Sequence, residues 1–261
     1  MHTVTATHIR RIILEQSNRA HVGHIGSALS VADIVACLYD GVIRINSPDD
    51  QDRDRFVLSK GHAALALYAA LALKGIIPKT QLQSFCGDDS LLGVHPEYVV
   101  PGIDFSTGSL GQGLSMGAGA ALAARLQQSN RKVYVLMSDA EINEGSVWEA
   151  AMFAAHHRLR NLCAIIDLNG QQALDYTKNV INIPNMVDRW RCFGWDAHEV
   201  DGHNVEAMKA KIASLDSDSP HMLIAKTTFG KGVSFMENQI KWHYWPMSDE
   251  EYTKAIAEVG V

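Results

Sequence analysis

The sequence predicts a doubly wound α/β fold in which a mostly parallel sheet is flanked by helices. Short apolar runs of strand length alternate with stretches of helical periodicity through the second half of the chain. There is also no internal repeat, low-complexity segment or linker, so residues 1–261 are read as one domain.

Taken in order, "ATHIRRIILEQSNRA" repeats apolar residues at helical spacing, and "LSVADIVACLYDGVI" reads as a second helix closed by Gly41. The polar turn "NSPDDQDRDR" leads into a short strand, Phe56 to Leu58. "GHAALALYAALALKG" is a very apolar helix that stops at Gly75. Between 76 and 107, Pro78, Gly87, Gly93, Pro96 and Pro101 predict helix fragments and irregular loops. "TGSLGQGLSMGAGAALAARLQQ" is a Gly-rich turn running into a helix whose small side chains allow close approach to a sheet. A strand at 133–138, a helix at 144–158 and a strand at 162–167 follow, then a loop to about 183 and a helix around "MVDRWRCFG". "WDAHEV" is a strand, "NVEAMKAKIASL" a helix, and "HMLIAKTTF" the final strand before a short C-terminal helix.

Composition narrows the function classes. A formal charge of -6 without any Lys/Arg block argues against a nucleic-acid or acidic-membrane partner. The N-terminus lacks a signal-peptide apolar core, and no apolar run reaches the roughly 18 residues of a spanning helix. A soluble cytoplasmic protein is expected. Cys37, Cys86, Cys163 and Cys192 lack metal-ligand spacing and are expected to be buried free thiols.

The stretch "VYVLMSDAEINEGSVWEAAMFAAHHRL" poses the chemical question, because an apolar strand ends in Asp139, Glu141 and Glu144. In such sheets ligands bind at the carboxyl ends of the strands. Asp139 and Asn169 each follow an apolar strand, so neighbouring strands would set them side by side although thirty positions separate them. A carboxylate, an amide oxygen and one backbone carbonyl make three oxygen ligands. Magnesium wants six and commonly takes the rest from phosphate and water. The same residue types also cap helices and turns, and spacing alone leaves both readings open.

"SDAEINEGSVWEA" followed by "NLCAIIDLNGQQ" resembles the thiamine diphosphate motif, GDG with an Asn about thirty residues on. "HVGHIGSALS", "LSKGHAALALY", "LGVHPE", "STGSLGQGLSMGAGAAL", "KGVSFMEN" and "WHYWPMSDEEY" resemble, in order, motifs of the transketolase family across nearly the whole chain. The resemblance implies the diphosphate-binding (PP) domain alone, the N-terminal subunit of a split enzyme. Its partner would be a C-terminal-half transketolase subunit carrying the pyrimidine-binding and C-terminal domains, in a heterotetramer with two copies of each chain.

By that resemblance Asp139 and Asn169 hold Mg2+, or another divalent cation such as Ca2+ or Mn2+, with the backbone carbonyl of Gln171. Ala140 offers its N–H to the diphosphate of thiamine diphosphate, and Gly108 and Leu110 approach its rings. Glu144 joins a hydrogen-bonded network across the subunit interface. His62 and His243 donate to the diphosphate, while His24 and His95 face the hydroxyls and carbonyl of a sugar. The implied reaction moves a two-carbon ketol unit from a ketose to an aldose, proton traffic that imidazoles suit. Glu141 matches no family position and is assigned only to favouring a helix N-terminus. The remaining histidines, His203 among them, are read as structural.

Two departures stand out. Ser138 and Ala140 replace the glycines of GDG, and if residue 140 needs a positive φ its methyl costs about 1 kcal/mol. Tyr244 and Trp245 place bulk beside His243. Rival readings are a dinucleotide site at "GQGLSMG", a scaffold homologue that has lost the chemistry, and a deoxyxylulose phosphate synthase type of enzyme.

Overall fold

The computed structural model describes residues 3–260. Its centre is a five-stranded sheet in which every pairing is parallel: β1 (Arg55–Leu58), β2 (Val133–Ser138), β3 (Leu162–Leu168), β4 (Asp196–Asp201) and β5 (His221–Lys226) stand in the order β1-β2-β3-β5-β4. The three central strands are apolar on both faces because helices cover both, as parallel sheets require.

One face carries α1 (Ala6–Ala20), α2 (Ile25–Ser30), α3 (Ala32–Cys37), α4 (Ala64–Leu73) and α9 (Val205–Ala213), packed on Phe56, Leu58, Leu136, Ile165 and Leu223. The other carries α5 (Gly113–Leu126), α6 (Gly145–His156) and α8 (Met186–Cys192), packed on Val57, Val135, Met137, Ile166 and Ile224. A short helix α7 (Thr177–Val180) interrupts the long loop after β3, and α10 (Asp249–Val259) closes the chain on α1. Gly117 is where α5 presses on the sheet, since a Cβ there would stand 2.3 Å from Val135 Cγ2.

Most elements lie where periodicity places them, with two differences, the helix broken at Val31 and the exposure of two cysteines. The helix expected over "LSVADIVACLYDGVI" is broken at Val31 (φ -95, ψ 1) into α2 and α3, and its end unwinds at Gly41, whose φ is 113. Apolar residues fill both halves, so the pattern alone carries no mark of the break. The stretch Gly111–Gly117 follows an irregular loop, as the Gly-rich turn predicted there implies, so the context a dinucleotide fingerprint needs is missing. All four cysteines are free, but only Cys37 and Cys163 are buried; Cys86 and Cys192 are exposed because they lie in a turn and at the end of α8. Among the described residues no helix is long and apolar enough to cross a membrane.

Candidate functional site

Parallel strands aim their carboxyl ends at one edge, and the polar residues gather there. Ser59 follows β1, Asp139 follows β2, Asn169 follows β3 and Thr227 follows β5. The register pairs Ser138 with Asp167, and the Asp139 N–H donates to the Asp167 carbonyl at 3.2 Å. β2 and β3 being neighbours, Asp139 meets the loop that carries Asn169. Gly170 N–H donates to Asp139 Oδ2 at 2.6 Å, and Ala140 N–H donates to Asp139 Oδ1 at 2.8 Å.

Asn169 is fixed from both sides. Its Nδ2 donates to Asp167 Oδ2 at 2.7 Å, and its Oδ1 accepts from Gln171 N–H at 2.9 Å, which settles which end of the amide faces which neighbour. Asp167 has no exposed surface and also accepts from Lys60 Nζ, the Ser30 hydroxyl and the Thr227 hydroxyl. Burial pushes its carboxyl up, but the Lys60 charge and these hydrogen bonds outweigh that and hold it below the usual range. Burial and then the neighbouring Asp167 push Asp139 up to about 7. Among the described residues no cation pairs directly with Asp139, and the charge of Lys60 only partly offsets the rise.

The histidines form a second group beside the first. His24, His62 and His243 stand with ring centroids 5.3, 5.4 and 5.4 Å apart. His24 takes a left-handed φ of 61 at the start of α2, where its N–H donates to the His243 carbonyl at 2.9 Å, tying two distant segments. His95 packs on Gly108, where a Cβ would lie 3.3 Å from its ring, and Tyr68 Oη donates to its carbonyl. Burial lowers the pKa of His62 well below the ordinary value and that of His243 to about 4, with the nearby Lys60 and other histidines adding to it. His24 is lowered by burial, His95 and Lys60. These rings are therefore neutral near pH 7, able to accept a proton. The cavity beside His24 and His62 holds about 10 Å³.

Several polar atoms at this edge are buried without a partner among the described residues: Nδ1 of His24, Nδ1 of His243, Asn143 Oδ1, and both amide atoms of Gln171. Leaving such groups bare costs about 1–3 kcal/mol each, which a polar ligand would recover. Asp139 and Asn169 themselves offer side-chain oxygens, the donor type a hard cation takes, and a cation there would add to the partial counter-charge of Lys60 on Asp139. The residues present fit a divalent cation and a diphosphate.

Of the residues expected from sequence, Asp139, Ala140, Asn169 and Gln171 come together, as do His24, His62 and His243, with His95 on Gly108. Leu110 is half-buried in the turn between Gly108 and Gly111. Glu144 is exposed at the start of α6, its Cβ against Gly111, whose φ of 88 and lack of a Cβ allow that approach. Ala140 has φ -66 and ψ -33, so the strain envisaged for a methyl there does not arise. Its N–H, however, is engaged by Asp139. His203 is structural, with Nε2 accepting from Thr228 N–H and Nδ1 therefore donating to Asp33 at 2.7 Å.

Two parts of this edge go unrecognised in the sequence. Glu141 does not serve the N-terminus of α6. It is completely buried, accepts from the Ser59 hydroxyl, from Gly111 N–H at 2.8 Å and from Ser138 N–H at 3.2 Å, and so staples β1, the Gly-rich turn and β2 together. Lys60 and Asp167 form the buried pair between the histidines and Asn169. A visible signal exists for the pair: an aspartate inside the apolar run "CAIIDL" and a lysine between two motif residues in "LSKGH".

The comparisons agree with one another. Residues 1–261 match the family model described as transketolase, thiamine diphosphate binding domain. The chain is 42% identical over 255 residues to one subunit of the apulose-4-phosphate transketolase of Phocaeicola vulgatus, covering 96% of this chain and 91% of that protein. It is 39% identical over 256 residues to the SqwG subunit of the 6-deoxy-6-sulfo-D-fructose transketolase of Clostridium sp., covering 96% and 93%. The crystal structure of transketolase from Campylobacter jejuni superposes with a TM-score of 0.92 at 30% identity, covering 98% of this chain and 42% of that one.

Proposed function

The chain belongs to the transketolase family, as its thiamine diphosphate-binding domain, and on that premise we propose that it is the N-terminal subunit of a split, cytoplasmic transketolase. Bound with a divalent cation, preferably Mg2+, thiamine diphosphate supplies the carbon nucleophile that carries a two-carbon ketol unit from a ketose to an aldose. The observation that carries this reading is the convergence at one sheet edge of an oxygen donor set, Asp139 and Asn169, with neutral histidines whose buried nitrogens lack partners.

In this reading Asp139 and Asn169 hold the cation with the Gln171 carbonyl, while Asp167 keeps the Asn169 oxygen turned the right way. Ala140 N–H would face the diphosphate. Gly108 and Leu110 border the cofactor rings. His62 and His243 donate to the diphosphate. His24 and His95 face the sugar hydroxyls and carbonyl, where an imidazole nitrogen takes a proton from a hydroxyl and returns it to a sugar oxygen.

The cavity beside His24 and His62 is far too small for a sugar, which supports a reading in which another chain completes the site. We assign it to a C-terminal-half subunit, in an assembly with two copies of each, with Glu144 exposed toward that partner. The names of the two similar subunits support a ketose as donor.

The test is a calorimetric titration of thiamine diphosphate with Mg2+ into this chain, alone and co-purified with the product of the adjacent gene. Binding that appears or tightens with the partner and vanishes in Asp139→Ala supports the proposal. A folded protein that binds neither cofactor nor metal in both forms refutes it and favours a scaffold role.

A further inference from the structure

The amino ends of the same strands border a second feature that the proposed reaction does not use. A cleft of about 510 Å³ lies where α5, α6 and α9 end, with Lys132 leading into β2 and Asn161 into β3. A strand of six residues spans about 20 Å, which separates this cleft from the cation and histidine edge.

Its walls are cationic. Arg125, Lys132, Arg158 and Arg160 line it against the carboxylate of Asp216. Helix C-termini attract basic residues in any protein, and that accounts for Arg125, which donates to the His157 carbonyl. It does not account for the others. Among the described residues Lys132 and Arg158 form no ion pair, and Arg160 reaches only the exposed Asp218, at 3.6 Å. The floor is Tyr134, 1% exposed, whose hydroxyl has no hydrogen-bond partner among the described residues, and Ile212 and Leu215 give the cleft an apolar side.

We propose that this cleft binds a small organic phosphate, its phosphate held by Lys132, Arg158 and Arg160 and its organic part set on Tyr134, Ile212 and Leu215. Uncompensated cations of one sign around a concave surface attract and orient an anion, and guanidinium groups match phosphate oxygens two at a time. The volume falls in the range of small-ligand pockets. Such a site would report the level of a phosphorylated metabolite to the same sheet that carries the proposed reaction at its other edge.

The test is an amide NMR titration of the full chain with ADP in EDTA, so that no divalent cation draws the probe to Asp139, with inorganic phosphate as a parallel arm. ADP should produce saturable shifts at Lys132, Asn161 and Ser217 while Ala140 and Gly170 stay still. Lys132→Gln with Arg160→Gln, both at exposed positions, should weaken binding roughly tenfold, and Tyr134→Phe should weaken it without lowering Tm. Inorganic phosphate should bind the same amides more weakly. No saturation at millimolar ADP, shifts spread over surface lysines and arginines generally, shifts at residues 139–140 and 169–171 alone, or affinity unchanged in the double variant would each overturn the proposal. Phosphate binding as tightly as ADP would overturn the organic part of it.

Discussion

Replacing Lys60 by Met tests the buried network from its least redundant side. Lys60 and Asp167 have 1% and no side-chain exposure, so deleting the ammonium strands a carboxylate where water cannot reach it. Removing one partner of a buried pair costs about 3–5 kcal/mol. The lower end applies here, because Ser30, Thr227 and Asn169 still donate to Asp167. Against a total stability of about 5–15 kcal/mol this is a large fraction. At about 2–4 °C per kcal/mol for a chain of this size, Tm should fall by roughly 6–12 °C. Differential scanning calorimetry at neutral pH reads it directly. The companion variant Lys60→Met/Asp167→Asn removes the stranded charge and should recover at least half of the loss, because the amide oxygen can still accept from Asn169 Nδ2 while its nitrogen donates to the Ser30 and Thr227 hydroxyls, which can turn to accept. A single variant within about 1 °C of the parent, or a double variant no better than the single, would refute the assignment of Lys60 as the counter-charge of Asp167.

Other perturbations separate binding from folding. Asp139→Asn removes a carboxylate that burial disfavours but sets an amide NH2 against the N–H of Gly170 or Ala140, so Tm should not rise, while Mg2+-dependent binding of thiamine diphosphate disappears by calorimetry. Ala140→Gly should lower stability by about 0.4–1 kcal/mol in urea titration without tightening cofactor binding, because the native φ of -66 already suits alanine. Gly117→Ala drives a methyl against Val135 and should cost about 1–3 kcal/mol by the same measurement. Burial raises the Asp33 carboxyl, but His203 and Arg10 outweigh that and hold it below its ordinary 3.8. A depressed acid adds stability that is complete above its unfolded value and is lost as pH falls through the folded one. Tm should therefore decline below about pH 4, and Asp33→Asn should flatten that part of the profile.

Which parts of this protein are legible in the chain follows from the range of the forces involved. The strands at 133–138 and 162–168 and the helix at 6–20 are readable because their apolar patterns are local. The break at Val31 is not, since residues on both sides are buried and a fully apolar stretch hides its own periodicity. At the candidate site, Asp139 and Asn169 stand out as polar residues ending apolar strands, and the histidines stand out only through the family motifs that hold them. Glu141 reads wrongly as a helix-end charge because its donors come from three different segments, and a carboxylate looks the same in sequence whether it faces water or three donors. The exposure of Cys86 and Cys192 is hidden for a related reason: apolar neighbours in sequence do not fix which way a turn points.

The sequence by itself determined the order of the elements, the edge of the sheet where chemistry could sit, and the residue types offered there. Tertiary structure decided what each was doing. Pairing of β2 with β3 joined Asp139 to the Asn169 loop, and the left-handed backbone at His24 brought His24 onto His243. Burial then turned the imidazoles neutral, and Lys60 was sealed against Asp167. These outcomes depend on contacts between residues tens to hundreds of positions apart, and on the low dielectric those contacts create. Neither exists until the chain has folded.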